Sequence, residues 1–191
     1  MKRFLFALLL ALPLSAQTTA TVFVTSQQNT GSGVFPFGAQ QLSIDFDSGA
    51  GFGASVSRGI GHWSGELAVF RTSSSGSLRS NGTSVFDLGD LELTPITAMV
   101  RYDFRHGYVG AGAAYVMTSD LDTEDTTVSL DDSIEPVIGA GLTYDFSRRL
   151  GAVLDLRYIP MTISGQPDPA DPRIAADINP LLVSAGLRIR F

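Results

Sequence analysis

The chain contains no cysteine, which excludes a disulfide framework and a thiolate metal site. It is also poor in charge, with only 17% of its 191 residues Asp, Glu, Lys or Arg. The net charge is −6, which gives nucleic acid little to bind, and none is expected as a partner. Past the first residues no apolar run approaches a membrane helix, which needs about 20 residues. What the chain does have is 44% hydrophobic residues interrupted by 20 glycines. That combination fits strands with one apolar face, in a chain of one-domain length.

The N-terminus reads as a secretory leader. Lys2 and Arg3 precede the apolar stretch Phe4 to Leu12, and Pro13 and Leu14 lead into small residues. The stretch is the right length for a signal peptide and too short to span a bilayer. Cleavage after Ala16 or after Ala20 is expected, giving a leader at 1–16 and a barrel domain at 17–191. Loss of Lys2 and Arg3 takes the charge to −8, eleven basic against nineteen acidic residues.

From about residue 90 onward the chain alternates with period 2. One face of 96–104 reads Ile96, Ala98, Val100, Tyr102, Phe104, and the other Thr97, Met99, Arg101, Asp103. The same holds over 108–117, 134–146, 150–160 and 181–191. Each segment matches the 9–11 residues of a tilted strand crossing a bilayer. Aromatics gather at the ends of the apolar faces, while charges and glycines take the other face. A soluble sandwich or lipocalin-like barrel has the same alternation with the opposite sign. The last strand favours the membrane: it ends on Phe191 with apolar Leu187 and Ile189 at alternate positions, the pattern of an outer-membrane assembly signal. The expected machinery partner is therefore the one that assembles such barrels.

Earlier in the chain, Thr21 to Ser26 is predicted as the first strand. Phe52 to Arg58 and Gly65 to Thr72 form a hairpin across Gly59 to Ser64. Three early and five later strands give an all-β fold, an eight-stranded antiparallel transmembrane β-barrel, whose narrow lumen side chains largely fill. Short connections (59–63, 105–107, 147–149) alternate with long ones (27–51, 73–90, 118–133, 163–177). Barrels of this type keep short turns in the periplasm, so both termini are predicted there. The short turns carry Arg58, His62, Arg105, His106, Arg148 and Arg149. The long loops carry Asp87, Asp90, Asp120, Asp122, Glu124, Asp125, Asp131, Asp132, Asp168 and Asp171.

The run Leu93-Thr94-Pro95-Ile96-Thr97-Ala98-Met99-Val100-Arg101-Tyr102-Asp103-Phe104 resembles the fourth strand of the OmpW family, also called the AlkL family. Further resemblance lies in Tyr108-Val109-Gly110-Ala111-Gly112, in Val128 to Ser133 leading into Val137 to Asp145, in Leu156-Arg157-Tyr158-Ile159-Pro160, and in Ile178-Asn179-Pro180-Leu181 through Phe191. It covers about residues 91–191 well and 20–75 only in layout. Ile189 departs from the family's usual Tyr-x-Phe ending. The resemblance implies a hydrophobic channel, entered from outside, that releases small apolar molecules sideways into the bilayer.

Sorting the inward positions by height separates two sets. Glu66, Arg101, Asp103, Asp145, Arg188 and Arg190 are expected to pair as a periplasmic plug, because unpaired buried charge is costly. Leu93, Pro95, Met99, Val137, Ile159, Ile178 and Leu182 form an apolar level above it. Pro95, Pro136, Pro160 and Pro180 all fall near the outer strand ends, where each removes a ladder hydrogen bond. Either these prolines simply end their strands, or the rim they weaken is where a lateral opening forms.

Catalysis is not expected, since His62 and His106, the only histidines, lie in short turns away from the outer surface. Asp120-x-Asp122-x-Glu124-Asp125 lacks the glycine and distal glutamate of an EF-hand loop. Gly110-Ala111-Gly112 and Gly139-Ala140-Gly141 lie inside strands with no helix following, so they are not nucleotide loops. Asn81-Gly82-Thr83 reads as a turn. No cofactor or metal is expected. The leading expectation is passive uptake of small hydrophobic ligands by a barrel set in outer-membrane lipid. The alternative is a surface barrel whose loops bind a host, phage or lipid partner.

Overall fold

A computed structural model of the chain describes residues 17–30, 33–37, 40–80, 83–119, 121–122, 127–166 and 174–191. The leader (1–16), the Asn81-Gly82 turn and most of the acidic run 120–125 lie outside the described residues, as do Asp168 and Asp171. Among the described residues eight long strands follow in order: β1 Gln17–Asn29, β2 Gly49–Ile60, β3 Trp63–Ser80, β4 Thr83–Phe104, β5 Gly107–Thr118, β6 Ser133–Asp145, β7 Leu150–Tyr158 and β8 Pro180–Arg190. Each pairs antiparallel with its neighbours in sequence, and β1 pairs with β8 from Thr19↔Arg190 to Asn29↔Pro180. The sheet therefore closes, which in lipid is what spares a sheet an unpaired edge.

The sign of the alternation follows from burial. On β1, Thr21, Phe23, Thr25 and Gln27 point inward and are buried, whereas Val22 and Val24 are 61% and 74% exposed. On β6, Val137 is inside while Ile134 and Leu142 stand outside. Glu66, Arg101, Asp155 and Arg157 are all inside and at most 8% exposed. A soluble barrel has these faces reversed. An apolar belt running right round the molecule exceeds any patch a soluble monomer exposes, so this surface faces hydrocarbon. Trp63, Tyr102, Phe104, Tyr144, Phe146 and Phe191 are exposed around the short-turn end, as an interfacial girdle is.

Gly61 explains the tightest turn. With only Gly61 and His62 between β2 and β3, the chain reverses through a left-handed residue at φ 63°, which costs glycine least. At the other end the structure departs from the predicted loops. Residues 73–80 and 83–90 are not loop but the continuation of β3 and β4, paired with each other. Gly33–Phe37 and Gln40–Phe46 add a second hairpin along β3, with Leu42↔Ser80 to Phe46↔Gly76 in register. Thr162–Gln166 and Ile174–Asp177 likewise form a ladder above β7 and β8. These extensions escape a reading based on alternation because lipid imposes an apolar face only within the bilayer; Ser73-Ser74-Ser75-Gly76-Ser77 has no period to detect.

The belt predicts a depth-dependent cost. Val24→Arg, at mid-strand on the lipid face, is expected to destabilise the barrel by about 2–4 kcal/mol in urea titrations from lipid vesicles. The same substitution at Gln28, near the loop end of that face, is expected to cost well under half as much. Equal costs at the two sites would place the belt in water.

Candidate functional site

The middle of the lumen is closed by a ring of five side chains from four strands. Arg157 of β7 donates from Nη2 to Glu66 Oε1 on β3 at 2.6 Å and from Nε to Asp155 Oδ1 at 2.8 Å. Arg101 of β4 donates from Nη1 to the other Glu66 oxygen at 2.5 Å. The Tyr108 hydroxyl of β5 donates to Asp155, and the Arg101 guanidinium lies 3.5 Å above the Tyr108 ring, which completes the circuit. Arg157 spends its remaining Nη1 on Thr97 Oγ1 at 2.7 Å and packs 4.8 Å from the Phe70 ring. Two cations meet two anions, so the ring is neutral. Arg157 and Asp155 are fully buried, which is tolerable only because each charge is paired and hydrogen-bonded. Glycines make the room: a Cβ at Gly141 would strike the Tyr108 ring, and one at Gly139 the Met99 methyl.

Below the ring, toward the short turns, lies a polar cavity of about 170 Å³. Glu66, Arg101 and Tyr108 are among its lining residues, with Asp103, Asp145, Arg188 and Arg190 nearer the mouth. Arg101 also donates to Asp103 at 2.8 Å, and Ser64 donates to Asp103. Arg188 reaches Asp145 at 2.5 Å and Arg190 reaches it at 3.4 Å. Gly151 stands between Asp145 and Arg188 in register, and a Cβ there would intrude on both. The six predicted plug residues thus separate into two groups. Glu66 and Arg101 belong to the mid-lumen ring, with Asp103 hung beneath. Asp145, Arg188 and Arg190 pair along the wall and leave a cavity between. The ring's other members, Asp155, Arg157 and Tyr108, were not among the predicted site residues, nor was Thr97 beside them. The inward Asp-x-Arg of β7 was the signal available for two of them.

All seven predicted apolar positions point inward, six of them above the ring; Met99 lies at the ring's own level, between Arg101 and Thr97 on β4 and opposite Glu66 in register. Leu93, Met99, Val137, Ile159, Ile178 and Leu182 are at most 4% exposed, and Pro95 is buried with them. They pack with Phe70, Leu91, Val116 and Met161. On the opposite wall polar pairs line the same level: Thr72 with Gln27, and Thr25 with Ser184 at 2.9 Å. This level is filled by side chains. Leu187, Ile189 and Phe191 stand outside, exposed to lipid, with the Phe191 N–H donating to Thr18 O at 2.9 Å.

The wall is incomplete at two places, and proline causes both. The β6–β7 ladder runs from Asp145↔Gly151 to Ile138↔Tyr158 and stops. Phe146 N donates to Leu150 O, so this is a hydrogen-bonded pair. Such pairs recur every second residue on each strand. The next one past Ile138 and Tyr158 is Pro136 with Pro160. Neither has an N–H to give, so both bonds of that pair are missing. The seam closes again higher up, where Asp131 N donates to Ser164 O at 3.0 Å. Within this slit Ser133 to Val137 pair only with β5, and Ile159 and Met161 bond only toward the β8 side. Pro95 also interrupts the β3–β4 ladder, between Val69↔Ile96 and Thr72↔Leu93, but its partner there, Phe70, keeps an N–H, so only one bond of that pair is lost to proline. Pro180 still accepts from Ile159 N at 3.1 Å.

His62 and His106 sit in the turns as expected, His62 stacked on Tyr102 at 5.5 Å. Among the described residues no group of histidines and acids could hold a metal ion.

These features define a closed, eight-stranded transmembrane barrel with a salt-bridged waist and an apolar upper lumen. The sequence matches no protein-family model and no curated protein. Solved structures share the fold. AlkL, determined by solid-state NMR in DMPC bilayers, matches with a TM-score of 0.64 at 18% identity, over 92% of this chain and 90% of AlkL. Neisserial surface protein A matches at 0.55 and 15% identity, over 92% of this chain and 97% of its own. Outer membrane protein W of E. coli matches at 0.53 and 16% identity, over 92% and 98%. The fold is that of the small outer-membrane barrels, AlkL and OmpW among them.

The ring makes a double-mutant prediction. Arg157→Leu leaves buried Asp155 without a counter-charge and Glu66 with Arg101 alone, and is expected to cost about 3–5 kcal/mol. Adding Asp155→Leu should recover part of that loss, measured as unfolding free energies in vesicles. Additive losses would mean that the two side chains do not interact.

Proposed function

We propose that this protein sits in the bacterial outer membrane with both termini in the periplasm. There it passes small apolar molecules from the loop end into the bilayer through the β6–β7 seam. The observation that carries the reading is the Pro136–Pro160 pair. It leaves the wall without ladder bonds at the height where Val137 and Ile159 line the lumen and Ile134, 70% exposed, meets lipid. An apolar molecule crossing there leaves one apolar environment for another. It need not enter the salt-bridged waist, which blocks the axial route. The packed upper level means that transit displaces side chains. Met161, flexible and buried in that level, is the one suited to give way. Likeness of fold at such low identity carries no substrate across to this chain, so the reading rests on the seam.

The absence of native cysteine allows a clean test. In Val137→Cys/Ile159→Cys, which keeps both prolines, a disulfide staples the seam, and reductant releases it. Uptake of a medium-chain alkane by cells expressing the pair is expected to fall when oxidised and return on reduction. Val137→Arg, which puts a charge in the apolar level, should abolish it at matched barrel levels. Equal uptake by stapled and reduced protein would sink the lateral route.

The packed lumen favours a second reading, a surface barrel that binds partners through its long hairpins without transport. Uptake by wild type no faster than by empty cells would select it.

A further inference from the structure

We propose that the short-turn end of the barrel is a collar for anionic phospholipid headgroups. Arg105 lies in the β4–β5 turn, and Arg148 and Arg149 lie in the β6–β7 turn. All three are exposed, and none is in an ion pair among the described residues. The acids of this end are committed inward: Asp103 is held by Arg101 and Ser64, and Asp145 by Arg188 and Arg190. The outer surface at this level therefore presents cations.

Two further features point to lipid. The arginines adjoin the exposed girdle, Arg105 following Phe104 and Arg148 lying two residues past Phe146. Girdle aromatics sit at the headgroup level, which places the guanidinium groups beside lipid phosphates. A planar guanidinium also suits a phosphate, to which it can donate two hydrogen bonds. The cations are spread over two separate turns, so the collar meets more than one headgroup around the barrel. The opposite end has the reverse character. Among the described residues Asp47, Asp90, Glu92, Asp131, Asp132 and Asp177 lie in the loop half, where Arg71 is paired with Glu92. An anionic leaflet is drawn to one end of this barrel and repelled from the other.

The test uses the full-length mature barrel, purified and exchanged into mixed micelles holding equal phosphatidylglycerol and phosphatidylcholine. The lipid retained is read by native mass spectrometry. Phosphatidylglycerol is expected to dominate, by about fivefold for each arginine engaged. The preference should shrink as salt is raised, because these contacts are exposed. Arg105→Gln/Arg148→Gln/Arg149→Gln should bring retention of the two lipids close to parity. Heat-modifiable migration on gels confirms that this variant is folded. Equal retention by wild type, or an unchanged preference in the triple variant, would overturn the proposal. So would displacement of the lipid by millimolar inorganic phosphate, which would assign the collar to a soluble anion.

Discussion

Hydrocarbon offers no partner to a backbone N–H, and the rest of this structure follows from that constraint. It is met by joining β1 to β8, so that each long strand has a neighbour on both sides. Closure leaves every strand one face for lipid and one for the lumen, which makes the period-2 pattern obligatory. It also fixes how narrow the lumen is. Eight strands enclose a space that side chains fill, so whatever the inward residues are, they must satisfy one another.

Here they do so at two very different polarities. Around Arg157 the interior is ionic and neutral in sum, built so that neither Glu66 nor Asp155 keeps an unengaged oxygen. A few residues higher the same strands present Val137, Ile159 and Leu182. The boundary between them is sharp because it falls between consecutive inward residues: Ile159, just past the end of β7, follows Arg157. Small inward residues manage the crowding, with Gly141 admitting the Tyr108 ring and Gly151 letting Arg188 reach across β7 to Asp145.

Much of this was legible in the sequence, and what was not has physical reasons. The lipid-facing residues of β4 to β8 could be read directly, because lipid on one face and lumen on the other leave no freedom in the pattern. The upper parts of β3 and β4 were hidden, because above the bilayer both faces meet water. The inward charges were legible one by one, but their partners were not. Glu66 meets Arg157, 91 residues away, only because of the stagger between strands, and composition carries no record of stagger. Tyr108 carried no warning at all, since an aromatic at a strand end reads first as girdle. The prolines were legible as a rim feature. That two of them face each other depends on which alternate residues bond across the seam, and Phe146 to Leu150 establishes that only in three dimensions.

The opposed prolines also determine how such a seam can be lost. A hydrogen-bonded antiparallel pair needs an N–H from each strand. A substitution at Pro136 alone supplies one donor, and a substitution at Pro160 alone supplies the other. Neither single change rebuilds the pair, so the seam is buffered against point mutation. A lineage drifting one residue at a time must pass through a half-zipped intermediate before the wall is whole.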